Sequence, residues 1–289
     1  MNLPPIKQET LNHIVNDLKS IDNVIAIVLG GSYATGNATD TSDIDIGIYY
    51  FDDKPFDIET IKSVAEKYAI DNAPTVTGFY EWGPWVNGGA WIQTASGKVD
   101  FLYRNIDQVK STIEKAQHGE WENDYEQQPP FGFSSVMYLA ETKSCIPLYD
   151  PNAVISELKT AVRDYPPKLK ESITRLCLWH AEFTIWHADY FLRKNDVYNT
   201  IGCLARAVKN IVTVLFAVNE LYPISDKKAI DILEKTNRKP SALTEKIENI
   251  LCADKNSIGH NILLLKSLFD ETVQLTGGGY KPFYKLGER

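Results

Sequence analysis

Asp43 and Asp45 stand two residues apart at the start of an apolar segment, Ile44-Asp45-Ile46-Gly47-Ile48-Tyr49-Tyr50. Gly30-Gly31-Ser32 closes the preceding apolar run, Val24 to Leu29. On a strand, side chains two apart share a face at about 6–7 Å, so the two acids face one way and Ile44, Ile46 and Ile48 the other. Ionised carboxylates at that distance repel by about 3 kcal/mol at an effective dielectric near 20. A strand that holds such a pair invites a cation, and hard oxygen ligands without His or Cys nearby favour magnesium over zinc. Gly30 and Gly31 permit backbone angles closed to other residues and close approach of a ligand. Ser32 is expected to cap the short turn of Tyr33-Ala34-Thr35, which Gly36 then stops. Free N–H groups at that turn suit phosphate oxygens. This is not a Walker loop, because Asn37-Ala38 stands where Lys-Ser/Thr would be required. A phosphate cradle beside a carboxylate pair predicts an enzyme that handles a nucleoside triphosphate.

A further acid, Asp100, lies in Lys98-Val99-Asp100-Phe101-Leu102-Tyr103, where Val99 and Phe101 alternate with it in strand fashion. Ser96-Gly97 separates this segment from Ala90-Trp91-Ile92-Gln93-Thr94 and predicts a hairpin. Gly-Ser, a ten-residue spacer and Asp-x-Asp between two hydrophobic strands resemble the nucleotidyltransferases related to DNA polymerase beta. The resemblance covers residues 24–104. It implies that Asp43, Asp45 and Asp100 are catalytic and bind one or two magnesium ions, with ATP or another triphosphate as co-substrate. It implies that Gly30, Gly31 and Ser32 hold the phosphates. Asp100 fits either a metal ligand or the base that takes the acceptor proton.

The elements that must position these residues follow from periodicity. The chain has 289 residues, 44% hydrophobic, enough for a sizeable core and two domains. The first, residues 1–150, reads as an α/β or α+β unit around a small mixed sheet. It has helices over 6–20, 58–68 and 106–116, and two or three strands between Thr75 and Tyr103. Residues 120–133, with Pro129-Pro130 and Gly132, read as a loop. The second, residues 151–289, reads as an all-α helical bundle with helices over 167–193, 196–221, 227–237, 242–252 and 259–275, then a tail from Gly277. On the first of these, Leu169, Ile173, Leu176, His180, Phe183, His187 and Tyr190 are expected to face inward. A catalytic α/β domain followed by a bundle is similar to the two-domain aminoglycoside and lincosamide nucleotidyltransferases. That similarity implies transfer of AMP to a hydroxyl of a small antibiotic-like molecule, an antibiotic-resistance role. The same catalytic unit also occurs in enzymes that attach AMP to a protein, including antitoxins, and a nucleotide-binding sensor without turnover is a third reading.

Charge narrows the partners. Residues 1–150 carry a net −12 and residues 151–289 a net +4, for a total of −8. Nucleic-acid binding draws on clustered Lys and Arg, so a nucleic-acid substrate is disfavoured. No run approaches the roughly 20 apolar residues of a membrane span. The first residues show no basic segment followed by an apolar core, and the four cysteines are far apart. A cytoplasmic protein with reduced thiols is therefore expected. A homodimer is compatible with the bundle.

Other groups admit two readings each. Arg206, Lys209 and Asn210 fall within one helical turn, suited to triphosphate oxygens or to a solvated face. Glu120, Glu122, Asp124 and Glu126, with Trp121 and Tyr125 between them, suit a cationic aminosugar or an acidic loop. Trp82, Trp85 and Trp91 suit an acceptor pocket or the core. His180 and His187 suit packing better than ligation. Arg175-x4-His180 has the spacing of the HEPN ribonuclease motif but is common by chance.

Overall fold

The computed structural model describes residues 3–70 and 73–286. These residues divide into two compact units, the first running up to residue 115 and resuming over 122–163, the second comprising 116–121 and the described residues from 164 onward. The division falls later than the expected break at 150. A helix over Val154–Ala161 belongs to the first unit, because Lys159 Nζ donates to the carbonyls of Lys143 (2.7 Å) and Cys145 (2.6 Å).

The first unit opens with α1, Pro5–Leu18, whose proline at the first helical position sacrifices no hydrogen bond. Its buried stripe is Lys7, Leu11, Ile14 and Leu18. β1 (Ala26–Leu29), α2 (Gly31–Thr35) and β2 (Ile44–Tyr50) follow. Then come α3 (Ile58–Tyr68), capped by Asp57, which accepts the Glu59 N–H at 3.0 Å, and β3 (Thr75–Val76). The hairpin of β4 (Gly89–Thr94) and β5 (Gly97–Asn105) leads into α4 (Ile106–Gln117). β6 (Asn123–Asp124) and β7 (Phe133–Ser134) pair as a small ribbon inside the segment expected to be a loop. α5 (Val136–Ser144), β8 (Ile146–Tyr149) and α6 (Val154–Ala161) complete the unit.

Six strands form one mixed sheet in the order β3-β4-β5-β2-β1-β8. β2 and β5 are its parallel pair, and the other contacts are antiparallel. Ile44, Ile46 and Ile48 of β2 and Val99, Phe101 and Tyr103 of β5 are buried on one face beneath Leu11, Ile14, Ile61 and Ala65. The opposite face carries Asp45, Lys98, Asp100 and Arg104, with Tyr49 and Arg104 buried on it.

The second unit contains α7 (Pro167–Arg193), α8 (Val197–Val218), α9 (Ala229–Glu234), α10 (Leu243–Leu251) and α11 (Ile258–Leu275). Asp196 caps α8 by accepting the Asn199 N–H at 3.1 Å. Two expectations need correction. The inward stripe of α7 is Leu169, Ile173, Cys177, Ala181, Ile185 and Ala188. His180 and His187 are only partly buried, and Leu176 and Tyr190 are exposed, so the large aromatic positions form a flanking stripe rather than the core. The 3.6-residue period is satisfied by small and aliphatic residues, which permit close helix packing. The end after Gly277 is also not a free tail. Tyr280 is buried and donates to Glu182 Oε2 at 2.5 Å, and the Tyr284 N–H reaches Oε1.

α8 is long and apolar enough, by length and composition, to cross a membrane. Its Leu204, Ala207, Ile211, Val214 and Leu215 are buried core of this unit.

Candidate active site

Strand register brings the acids together. Asp45 on β2 pairs directly with Asp100 on the parallel β5, so the two side chains share the open face of the sheet. Asp43 precedes β2 and reaches the same group through Lys98, whose Nζ lies 3.2 Å from Asp43 Oδ2 and 3.0 Å from Asp100 Oδ2. Among the described residues no three His, Cys, Asp or Glu side chains converge as a ready metal cluster. In their place Lys98 spans two of the acids.

The electrostatics are those of acids held short of partners. Burial, then the charges of Asp100 and Asp43, push the Asp45 carboxyl up to about 6, against the pull of Lys98. Asp100 is also raised, by burial first, with Lys98 opposing and Asp43 adding to the shift. Asp100 Oδ1 is buried with no hydrogen-bond partner. Burial alone would lower the Lys98 ammonium, but its hydrogen bonds to Asp100 and Asp43 hold it above its ordinary value. Row, orphan oxygen and oxygen-only donors fit a hard divalent cation better than a proton-only role.

The glycines meet this group from the other side. Gly31 has φ +57°, and a Cβ there would lie 1.8 Å from Asp45 Oδ2. The Gly30 N–H donates to the Asp45 carbonyl at 2.8 Å. The expected cap is corrected: Gly30 occupies the N-cap of α2, and Ser32 lies inside its first turn without a side-chain cap bond. Gly36, at φ +73°, does end the helix.

Two lysines are tied to the acids and to the loop that precedes them. Lys98 carries a signal in its spacing, two before Asp100 and therefore on the same strand face. Lys7 is 7% exposed, and its Nζ donates to Ser42 O (2.6 Å), Asp40 O (3.0 Å) and Tyr33 Oη (3.1 Å). It ties α1 to the loop that delivers Asp43. Its signal was a lysine in step with Leu11, Ile14 and Leu18.

Residues 11–80 match the family described as nucleotidyltransferase domain. Over that stretch the chain is similar to nucleotidyltransferase domains. The matched stretch includes Gly30, Gly31, Ser32, Asp43 and Asp45 but stops before Asp100, which the sheet register places beside Asp45. No curated protein matches the chain. Among solved structures it is similar to a nucleotidyltransferase-like protein from Exiguobacterium sibiricum, at 10% identity and a TM-score of 0.48, over 95% of this chain and 78% of that one.

The remaining candidates lie on other elements. Arg206 and Lys209 belong to the helical unit, where Arg206 is exposed and Lys209 pairs with Asp226 at 2.8 Å. Glu122, Asp124 and Glu126 line a cavity of about 650 Å³ with Trp85 and Gln108. Glu122 has Lys115 at 3.9 Å, so the acidic loop is not wholly uncompensated. Trp85 is buried, stacked on Phe133, whereas Trp91 is 48% exposed.

Proposed function

We propose that the nucleotidyltransferase domain uses Mg2+ and transfers AMP from ATP to a hydroxyl of a small molecule, an aminoglycoside-type antibiotic being the leading class. The observation that carries this reading is the Asp45–Asp100 pairing with Gly31 packed against Asp45 so closely that no side chain fits between them. Asp43, Asp45 and Asp100 would hold the divalent cation, with Lys98 giving up its place between the outer acids. A bound cation supplies positive charge to the leaving pyrophosphate and to the attacking oxygen. Gly30, Gly31 and Ser32 would receive the phosphates through backbone N–H groups. The acceptor oxygen bonds to the α-phosphorus, the bond to the bridging oxygen breaks, and pyrophosphate leaves with the electron pair. The hydroxyl proton passes to Asp100 or to water, and either fits the place of Asp100 in the row. Catalysis is then chiefly positioning and charge stabilisation. A reducing, cytoplasmic setting belongs to the same proposal.

The test is pyrophosphate release from each nucleoside triphosphate, with and without Mg2+, against a panel of aminoglycosides and lincosamides. Acceptor-dependent release that Asp45→Asn abolishes is the expected result. Triphosphate binding without release from any acceptor would turn the search to protein acceptors. No Mg2+-dependent binding would end the proposal.

A further inference from the structure

The open face of the sheet does not end at the carboxylates. Trp91 on β4 pairs directly with Asp100, as Asp100 pairs with Asp45, so the three side chains form one row across three adjacent strands. Trp91 is 48% exposed, although β4 is flanked on both sides by strands, with the two-residue β3 outside it. Its indole is stacked on that of Trp82, centroids 4.7 Å apart and planes 24° apart. Gly89 beside it is required first by the neighbouring strand, since a Cβ there would lie 1.9 Å from the Phe101 carbonyl oxygen, and it also leaves space for Trp82, whose Cζ3 would be 3.0 Å away. One tryptophan is thus held flat by another, with nearly half of its surface open.

Strand order says which reactant meets it. α2 follows β1, which neighbours β2 on the side away from β5. Across the face the sequence is therefore phosphate turn, Asp45, Asp100, Trp91. In-line displacement puts the attacking oxygen opposite the leaving pyrophosphate. With pyrophosphate at the turn, the attacking hydroxyl arrives from the β4 side.

We propose that Trp91, backed by Trp82, is the stacking platform for the acceptor, and that the acceptor presents its hydroxyl on a saturated ring that carries amino groups. The inference rests on the nucleotidyl-transfer reading above and deepens it. The C–H face of such a ring covers an indole, and its ammonium groups are drawn both to the indole face and to the net −12 of residues 1–150. The nucleoside is joined to the α-phosphorus through an equatorial oxygen, off the in-line axis, so on this proposal the platform on that axis is left to the acceptor.

The test labels the full chain with 5-fluorotryptophan and assigns the Trp91 fluorine resonance with Trp91→Phe. Titrations use a non-hydrolysable ATP analogue with Mg2+, then kanamycin, neomycin and lincomycin, then spermidine as a ring-free polyamine. The analogue is expected to bind and leave the Trp91 resonance in place, and at least one ring compound to move it. Calorimetry is expected to show that compound binding about tenfold more weakly to Trp91→Ala, with Trp91→Phe nearer wild type and analogue binding unchanged in both. A Trp91 resonance moved by the analogue alone overturns the proposal in favour of a base platform. A resonance unmoved by every ring compound, or moved equally by spermidine, also overturns it. Failure of the analogue to bind wild type would instead remove the nucleotidyl-transfer reading, and the platform with it.

Discussion

Glu182 in the helical unit and Asp45 in the sheet unit are both acids set into apolar elements, and the molecule treats them in opposite ways. Glu182 is fully buried, yet each of its oxygens has a donor, from Tyr280 Oη and the Tyr284 backbone. Asp45 is less buried and is raised to about 6 by burial and by two neighbouring carboxylates. Its neighbour Asp100 keeps an oxygen with no donor. A buried acid whose lone pairs are satisfied internally is a structural joint, here closing the chain's end onto α7. An acid row left short of donors has its binding capacity reserved for something else.

The sharpest way to break this contrast is to neutralise each acid in turn. Asp45→Asn should lower nucleotidyl transfer by about a thousandfold or more, read as pyrophosphate release, because it removes charge needed in the transition state. The same change should stabilise the metal-free protein at pH 7.5, seen as a higher Tm. Glu182→Ala should do the reverse. It strands a buried tyrosine hydroxyl and should cost about 2–4 kcal/mol of stability in denaturant unfolding. Transfer per folded molecule should stay within about threefold of wild type. If Asp45→Asn also destabilised the metal-free protein, the acid row would be structural after all.

Gly31→Ala comes next in size. The methyl would occupy the place of Asp45 Oδ2, and φ at +57° disfavours any side chain. Either the turn or the carboxylate must move, and triphosphate turnover should fall by about a hundredfold. Gly36→Ala, where a Cβ meets nothing within 4 Å but φ is +73°, should cost only about 1 kcal/mol of stability and leave turnover near wild type. Equal losses at the two glycines would show that only backbone strain matters, not contact with Asp45.

Much of this contrast was legible in the sequence, and the remainder depended on long-range pairing. Asp43, Asp45 and Gly31 lie close along the chain, where a two-residue period and a turn glycine have local meaning. Asp100 was found because its flanking Val99 and Phe101 alternate, but its partner across the sheet is a matter of register, which no local pattern encodes. Lys98 and Lys7 were passed over because a lysine on a strand or helix is usually solvated. Each was nonetheless in phase with a functional or buried stripe. α5, β8 and α6 are each shorter than ten residues, too short for a period to stand out from the surrounding sequence. The inward face of α7 was misread because aromatic residues outweigh Ala181 and Ala188 in any pattern judged by size. Glu182 had no signal at all, since its donors come from about a hundred residues later.

A pH series separates the two acids more finely. The folded Asp45 carboxyl lies near 6, above its ordinary 3.8, so the folded state binds more protons than the unfolded state between those values. Stability that is present below pH 4 is then lost as pH rises through 6, by about 3 kcal/mol in total. Urea unfolding of the metal-free protein between pH 4 and pH 7.5 should show this decline, and Asp45→Asn should flatten it. Saturating Mg2+ should flatten it too, by stabilising the ionised form. A decline that persists in Asp45→Asn would place its source elsewhere, for example at Asp270, which burial and Glu182 also raise.

The smallest effect is expected at Lys98, and its sign is informative. Its ammonium neutralises Asp43 and Asp100 from a side chain that is 41% exposed, so solvent screens the pairing and its worth is modest. If the acids are reserved for a divalent cation, Lys98 competes with that cation for the same oxygens. Lys98→Met should therefore tighten Mg2+ or Mn2+ binding by about threefold to fivefold, measured by calorimetry, while lowering the Tm of the metal-free protein slightly. Raised salt should narrow the difference between variant and wild type, because both competitors are screened. Weaker metal binding in Lys98→Met would mean that the lysine orients Asp100 rather than holding its place, and the row would then be a lysine-organised site to which a cation is added, not one that a cation takes over.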